Sequence, residues 1–265
     1  ARTLTRRAGA SLTLKASRRD SASFSEARPV VIGTGAELTV DPGQTLALVG
    51  GQKITVDGTL RAPGGNIHIL NPITTGVEEG GSIWIGENAV LDAAGRAYVA
   101  NGVNGQRYGE VLSGGRVVLG SLPPDDVANA NLYPINNLFV IVRDGAVIDI
   151  SGTGAELDLS LAQPTTVASN GGALEMRSKA GIAFDGELRA QAGGDGALGG
   201  ALDVMLETQL LSTATPNESH AVPRIITLTQ GNEDEGADQP SSDLNSEQGD
   251  ESPSFGTARF VIEDL

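Results

Sequence analysis

Apolar and polar positions alternate along this chain in short bursts, and nearly every burst ends at Gly, Asn or Asp. Examples are Ala36-Glu-Leu-Thr-Val40, Lys53-Ile-Thr-Val56, Asn66-Ile-His-Ile-Leu70, Ser82-Ile-Trp-Ile85, Arg116-Val-Val-Leu119, Leu138-Phe-Val-Ile-Val142, Ala155-Glu-Leu-Asp-Leu159, Ala173-Leu-Glu-Met176 and Ala201-Leu-Asp-Val204. A period of two is that of a strand with one buried face. No stretch of about a dozen residues carries the spacing of an amphipathic helix, so the pattern predicts almost no helix.

The bursts resemble one another. Gly33-Thr-Gly-Ala-Glu-Leu38 returns letter for letter as Gly152-Thr-Gly-Ala-Glu-Leu157, and Ala89-Val-Leu-Asp-Ala-Ala-Gly95 returns as Ala146-Val-Ile-Asp-Ile-Ser-Gly152. Looser relatives are Lys53-Ile-Thr-Val-Asp-Gly58 and Gly181-Ile-Ala-Phe-Asp-Gly186. The two offsets, 119 and 57 residues, lie near six and three multiples of about 20, a solenoid-like repeat. Three short strands with their turns make a coil of that length. Stacked coils would pair each strand with its counterpart in parallel, so the expected fold is all-β, a parallel β-helix (solenoid) with extruded loops. Ile83, Ile85, Val90, Phe139, Ile141, Val147 and Leu157 are its expected inward column. An antiparallel sandwich or barrel would also show short strands, but whole motifs repeating at coil-length offsets favour winding over hairpins.

Residues 1–29 read as an irregular leader or a first coil, and 30–230 as the repeats. Loops are expected near 98–113, with Asn101-Gly102 and Asn104-Gly105, and near 121–137, with Pro123-Pro124 and Pro134. Residues 231–254 carry Glu233, Asp234, Glu235, Asp238, Asp243, Glu247, Asp250 and Glu251 with no Lys or Arg, and read as an acidic disordered insertion. Residues 255–265 read as a continuing strand of the coil. A start without Met and an end directly after a strand suggest a segment of a longer chain.

Composition narrows the function. With 36 Gly and only 3% aromatic residues, the core must be built from Val, Ile, Leu and Ala. A net charge of -15 argues against nucleic acid and against an anionic membrane surface. No apolar run approaches the length of a membrane span, so no membrane insertion is expected. Without cysteine there is no disulfide, thiol nucleophile or Cys-based zinc site.

Chemistry-bearing residues are few. His68 and His220 have no metal-spaced partner, and Gly193-Gly-Asp-Gly196 is a lone echo of a calcium-binding nonapeptide. The recurrent Asp57, Asp92, Asp149 and Asp185 could pair as acid and base on a glycan, the reading of a β-helix polysaccharide lyase or hydrolase. Each, however, directly precedes a Gly or lies three residues before one, among them Gly95, Gly152 and Gly186, where its side chain caps a turn. A catalytic site is needed once and a corner in every coil, so these are expected to be structural turn residues. No catalytic residue, metal or cofactor is expected, and the chain reads as not an enzyme. Phe139 and Phe184 lie on strands, while Trp84 alternates with Ile83 and Ile85 and so faces outward if they face inward. That makes Trp84 the candidate surface contact.

The blocks Gly80-Gly-Ser-Ile-Trp-Ile-Gly-Glu-Asn-Ala-Val-Leu-Asp-Ala-Ala-Gly95, Val140-Ile-Val-Arg-Asp-Gly-Ala-Val-Ile-Asp-Ile-Ser-Gly152 and Gly171-Gly-Ala-Leu-Glu-Met-Arg-Ser-Lys-Ala-Gly-Ile-Ala-Phe-Asp-Gly-Glu-Leu188 resemble the internal repeat region of filamentous haemagglutinin-like exoproteins. The resemblance, one of repeat style, covers most of 30–230. It implies a long right-handed β-helix, exported through an outer-membrane transporter by two-partner secretion and placed on the bacterial cell surface or released. It further implies an adhesin that meets a host-cell or bacterial receptor or glycan, or the passive stalk of a contact-dependent inhibition toxin.

Overall fold

A computed structural model describes residues 9–16, 29–50, 53–71, 81–120, 138–159, 163–206, 224–230 and 256–262. Among them there is no helix. The chain visits three parallel sheets in rotation. The first round is β1 (Leu12–Ala16), β2 (Val30–Ile32) and β3 (Glu37–Thr39), and the second is β4 (Thr45–Gly50), β5 (Lys53–Val56) and β6 (Thr59–Arg61). The third is β7 (Asn66–Leu70), β8 (Gly81–Ile85) and β9 (Val90–Asp92), followed by a hairpin of β10 (Ala97–Asn101) and β11 (Arg107–Val111). The fourth is β12 (Arg116–Gly120), β13 (Leu138–Val142) and β14 (Val147–Asp149), again followed by a hairpin, β15 (Gly154–Leu157) with β16 (Thr165–Ala168). The fifth is β17 (Ala173–Ser178), β18 (Gly181–Phe184) and β19 (Glu187–Arg189), after which come β20 (Ala201–Leu206), β21 (Ile225–Gln230) and β22 (Thr257–Ile262).

The first sheet runs β1-β4-β7-β12-β17-β20, the second β2-β5-β8-β13-β18-β22-β21 and the third β19-β14-β9-β6-β3. Every pairing within them is parallel, an arrangement consistent with a solenoid. Parallel pairing in register stacks like on like. Leu46, Ile67, Val117 and Leu174 form one inward column, Ile54, Ile83, Val140 and Ile182 a second, and Leu60, Leu91 and Ile148 a third. All are buried and belong to one apolar cluster, so no round closes its core without its neighbours.

The corner that returns the chain to the first sheet explains much of the glycine. Gly65, Gly115, Gly172 and Gly200 stack in one column, and a Cβ on Gly115 or Gly172 would lie 1.9 or 1.8 Å from the carbonyl oxygen of the glycine below. The approach of one round to the next therefore excludes any side chain there. Each glycine N–H donates to the residue just past the third-sheet strand of its round: Gly65 to Ala62 O at 2.8 Å, Gly115 to Ala93 O, Gly172 to Ile150 O and Gly200 to Ala190 O, each at 2.7 Å. In the second round only Pro63 and Gly64, with φ of 59°, intervene. In the third and fourth rounds a whole hairpin does. One hydrogen bond closes the corner whatever is inserted, which is why hairpins can be extruded without disturbing the stack.

Several expectations need correction. The offset of 57 residues is one round and not three, because Val90-Leu-Asp92 pairs directly with Val147-Ile-Asp149. Inserted segments lengthen the round, and counting letters included them. The uninflated round is 21 residues, the distance from Thr45 to its partner Asn66. The identical hexapeptides do not correspond: Glu37 and Leu38 belong to β3, whereas Gly154–Leu157 is the hairpin strand β15. The expected loop near 98–113 is largely the antiparallel hairpin β10–β11. Of the expected inward residues, Ile83 and Ile85 hold, but Leu91, Val140 and Ile148 take the inward places of Val90, Phe139 and Val147. Ile141 lies buried in the outward column, in register with Trp84, and Leu157 is buried in a hairpin. Three-residue strands and unbroken apolar runs such as Phe139-Val-Ile-Val142 do not reveal their phase. Finally, β22 lies between β18 and β21, so the later strand sits inside the earlier one. Residues 1–8, 121–137 and 231–254, on which a leader, a loop and an acidic insertion were expected, fall outside the described residues, as does His220.

Candidate interaction surface

Trp84 occupies the outward column of the second sheet, flanked by Thr55 and Ile141 in adjacent strands. It is half-buried, and the guanidinium of Arg143 stands 4.9 Å from its ring centroid, a cation–π arrangement that occupies one face of the indole. His68 sits similarly outward on the first sheet, in register with Ala47 and Val118.

The four recurrent aspartates separate into two pairs. Asp92 and Asp149 end neighbouring strands of the third sheet and are register partners. Each turns its carboxylate back on its own backbone, accepting the N–H two residues on: Ala94 at 3.1 Å and Ser151 at 2.9 Å. Asp57 and Asp185 sit at the preceding corner, three rounds apart, where their N–H groups donate to Ile32 O and Val142 O. Asp57 bridges rounds, accepting from the Thr34 hydroxyl and from the Asn88 N–H at 3.1 Å. These bonds to the charged form hold its carboxyl below the usual range. Asp185 pairs with Arg259 at 2.8 Å, yet burial pushes its carboxyl up. The structure thus brings Asp92 to Asp149 and keeps Asp57 and Asp185 apart from them.

Gly95 and Gly152 sit at the bases of the two hairpins. A Cβ on Gly95 would lie 2.4 Å from Leu112 O and one on Gly152 2.2 Å from Ser169 O, so each hairpin leaves and returns through a gap that only glycine fits. A Cβ on Gly186 would lie 2.8 Å from Val142 Cγ1 and 2.9 Å from Ala146 O.

Those hairpins are the surface that reading the sequence missed. Both emerge from the same corner of consecutive rounds, so stacking sets them side by side. The Asp158 N–H donates to Arg107 O at 2.8 Å, and the Arg107 N–H donates to the Asp158 carboxylate at 2.6 Å. The Arg107 guanidinium reaches Glu156 at 2.6 Å and Asp158 at 3.6 Å. At the base, the Ser169 hydroxyl accepts the Thr153 N–H at 2.9 Å and lies 3.0 Å from Leu112 O. Two insertions are thereby locked into one projection.

Across β10–β11, Tyr98 faces Glu110 and Ala100 faces Tyr108, which puts both tyrosines on one face as diagonal neighbours. Each is 38% exposed. Val99, on the other face of the hairpin, Val103 at its turn and Leu159 after β15 are also exposed. The signal available in the sequence was Tyr98, Tyr108 and the Asn104-Gly105 turn, with Gly105 at φ 77°, which fits a hairpin better than a loose loop.

The chain matches no family model, no curated protein and no solved structure. The resemblance to filamentous haemagglutinin-like exoproteins therefore stands on repeat style alone. Among the described residues no three His, Asp or Glu side chains gather as a metal-binding group. What the surface offers is a parallel stack that carries two docked hairpins with a tyrosine-bearing face.

Proposed function

We propose that this chain is a right-handed parallel β-helix segment of a secreted bacterial surface exoprotein of the filamentous haemagglutinin-like type, exported by two-partner secretion, and that it works as an adhesive scaffold and not as an enzyme. One observation carries the reading. Two consecutive rounds extrude hairpins at the same corner, and these dock on each other through Arg107, Glu156 and Asp158 to present Tyr98 and Tyr108. A repeat that only filled length would have no use for a reinforced projection. Exposed aromatic rings beside hydrogen-bonding groups suit the faces of sugar rings or a receptor surface.

The test is binding of the purified chain to a glycan array and to epithelial-cell layers. The Tyr98→Ser, Tyr108→Ser double variant is expected to lose about tenfold or more in binding, two aromatic contacts being worth at least about 1.4 kcal/mol. Unchanged binding by that variant rejects the tyrosine face as the contact, and no binding by the parent across both panels rejects the adhesive reading and leaves a passive stalk. The polysaccharide-active alternative draws on the stacked Asp92 and Asp149, and it requires glycan cleavage that an Asp149→Asn variant abolishes.

A further inference from the structure

The two docked hairpins lie with β11 beside β15, and the outer edges of the pair are not alike. Residues 95–113, which carry the first hairpin, are described throughout, so its edge strand β10 depends on neither end of the chain. The Leu112 N–H donates to Arg96 O at 2.9 Å and the Gly102 N–H donates to Gln106 O at 2.7 Å. Between these two bonds the antiparallel register is unbroken. Alternation therefore turns the N–H and C=O of Tyr98 and Ala100 toward β11, and those of Ala97, Val99 and Asn101 away from it. On β11 the same alternation sends the groups of Arg107 out on the far side, where Asp158 takes both. Among the described residues nothing takes those of Ala97, Val99 or Asn101.

The other outer edge, at β16, is closed. The Ser169 N–H donates to Thr153 O at 2.8 Å, which fixes Pro164, Thr166 and Ala168 at the positions turned outward. Pro164 has no N–H to offer, and the Ala168 end meets the next corner, where a Cβ on Gly194 would lie 3.2 Å from Ala168 Cβ. β10 carries none of the devices that blunt a strand edge: Ala97-Tyr-Val-Ala-Asn101 has no charge, no proline and no bulge.

We infer that β10 is a dimerisation edge, and that it pairs with β10 of a second copy of this chain, antiparallel and centred on Val99. Three features select that occupant. First, the outward groups are symmetric about Val99. A two-fold rotation sets Val99 against Val99 of the copy and Ala97 against Asn101 of the copy, and each such pair exchanges two hydrogen bonds. Second, the side chains suit that register. On the tyrosine face Tyr98 falls opposite Ala100 of the copy, a ring beside a methyl, and on the other face Val99, 45% exposed, meets its counterpart. Third, a chain of net charge -15 repels its own copies over most of its surface, and the residues of β10 that would meet are uncharged. The pairing also enlarges the tyrosine face. Tyr98 becomes the diagonal neighbour of Tyr98 in the copy, so the two hairpins join into one surface to which each chain brings Tyr98 and Tyr108. Neither chain alone presents it.

An edge this short makes a small interface, so a dissociation constant of about 10–100 μM is expected. Sedimentation equilibrium of the full chain, at concentrations on either side of that range, should show monomer and dimer with no ligand present, so the outcome is independent of the adhesive reading. Val99→Lys, altered at an exposed side chain and checked for an unchanged circular dichroism spectrum, sets lysine against lysine and should weaken the dimer about fivefold or more. Val99→Glu should do the same, and an equimolar mixture of the two variants should recover the dimer, which only a register centred on residue 99 allows. Thr166→Lys, on the closed edge, should leave the dimer as it is. A chain that stays monomeric overturns the inference and leaves the edge to a strand of another polypeptide. A dimer that Val99→Lys leaves intact, one that Thr166→Lys weakens as much, or a mixture of the Lys and Glu variants that stays monomeric overturns it as well.

Discussion

The middle rounds and the last one use the same kinds of strand, yet they differ in what surrounds them. Leu60, Leu91 and Ile148 are fully buried because each is covered by the round above and the round below. Leu202 and Leu228, which hold inward positions in the final strands, are 41% and 60% exposed. Intrinsic strand propensity is much the same in both places, so the contrast isolates the neighbour contribution that makes a stacked array cooperative.

The sharpest way to break the comparison is to separate two rounds by force. Gly172→Ala would set a methyl 1.8 Å from Gly115 O, a backbone atom that cannot rotate aside. The expected loss is about 4 kcal/mol, at the upper end for a single substitution. The equivalent Gly200→Ala near the open end meets Gly172 O at 2.9 Å, also a backbone atom but a much less severe overlap, so a smaller loss of about 2 kcal/mol is expected. Denaturant unfolding of the two variants measures the difference. Equal losses would mean that the glycine column does not set the spacing of the rounds.

A milder probe removes apolar volume in place of adding it. Ile148→Ala opens a cavity in a fully buried column and is expected to cost about 3 kcal/mol. Leu202→Ala, already 41% exposed, should cost about 1 kcal/mol, since much of its surface is in water in the folded state. Calorimetry on both variants tests this. A Leu202→Ala loss as large as that of Ile148→Ala would show that the last round is as well covered as the fourth.

The parallel winding was legible in the sequence because alternation and recurring Gly and Asp corners are local signals. The true round length was legible too, but in a quieter place. Pro42-Gly43 and Pro63-Gly64 lie 21 residues apart, and the doublets Gly64-Gly65, Gly114-Gly115, Gly171-Gly172 and Gly199-Gly200 mark the same corner in successive rounds. Longer matches such as Gly33–Leu38 with Gly152–Leu157 drew the eye and correspond to nothing in space, since one enters a third-sheet strand and the other a hairpin. The paired hairpins and the place of β22 were not legible. Arg107 finds Asp158 only because two insertions at one corner are brought together by stacking, and β22 comes to lie between β18 and β21 only through pairing across the sheet. Both depend on contacts distant in sequence, which no period along the chain encodes.

The smallest expected effect compares two aspartates at the same kind of corner, one inside the stack and one at its open end. Asp57 has a folded pKa below its ordinary 3.8, so its contribution is present above that value and is lost as the pH falls through the lower, folded one. Asp57→Asn should therefore cost about 1 kcal/mol at neutral pH, a modest figure because the site is partly solvated, and the gap from the parent should close below about pH 3.8. Asp185 has a folded pKa above 3.8, because burial outweighs the pull of Arg259. Its ionised form weakens the fold at neutral pH, and the parent gains stability as the pH falls through the raised value toward 3.8. Asp185→Asn should then be neutral or slightly stabilising at pH 7, with the advantage disappearing on acidification, since Arg259 is exposed enough to be solvated alone. Urea unfolding of both variants at several pH values reads the two trends. If both lose stability at pH 7 and both converge with the parent on acidification, the corner at the open end is no different from the corner inside, and the contrast between the two regions fails at its most sensitive point.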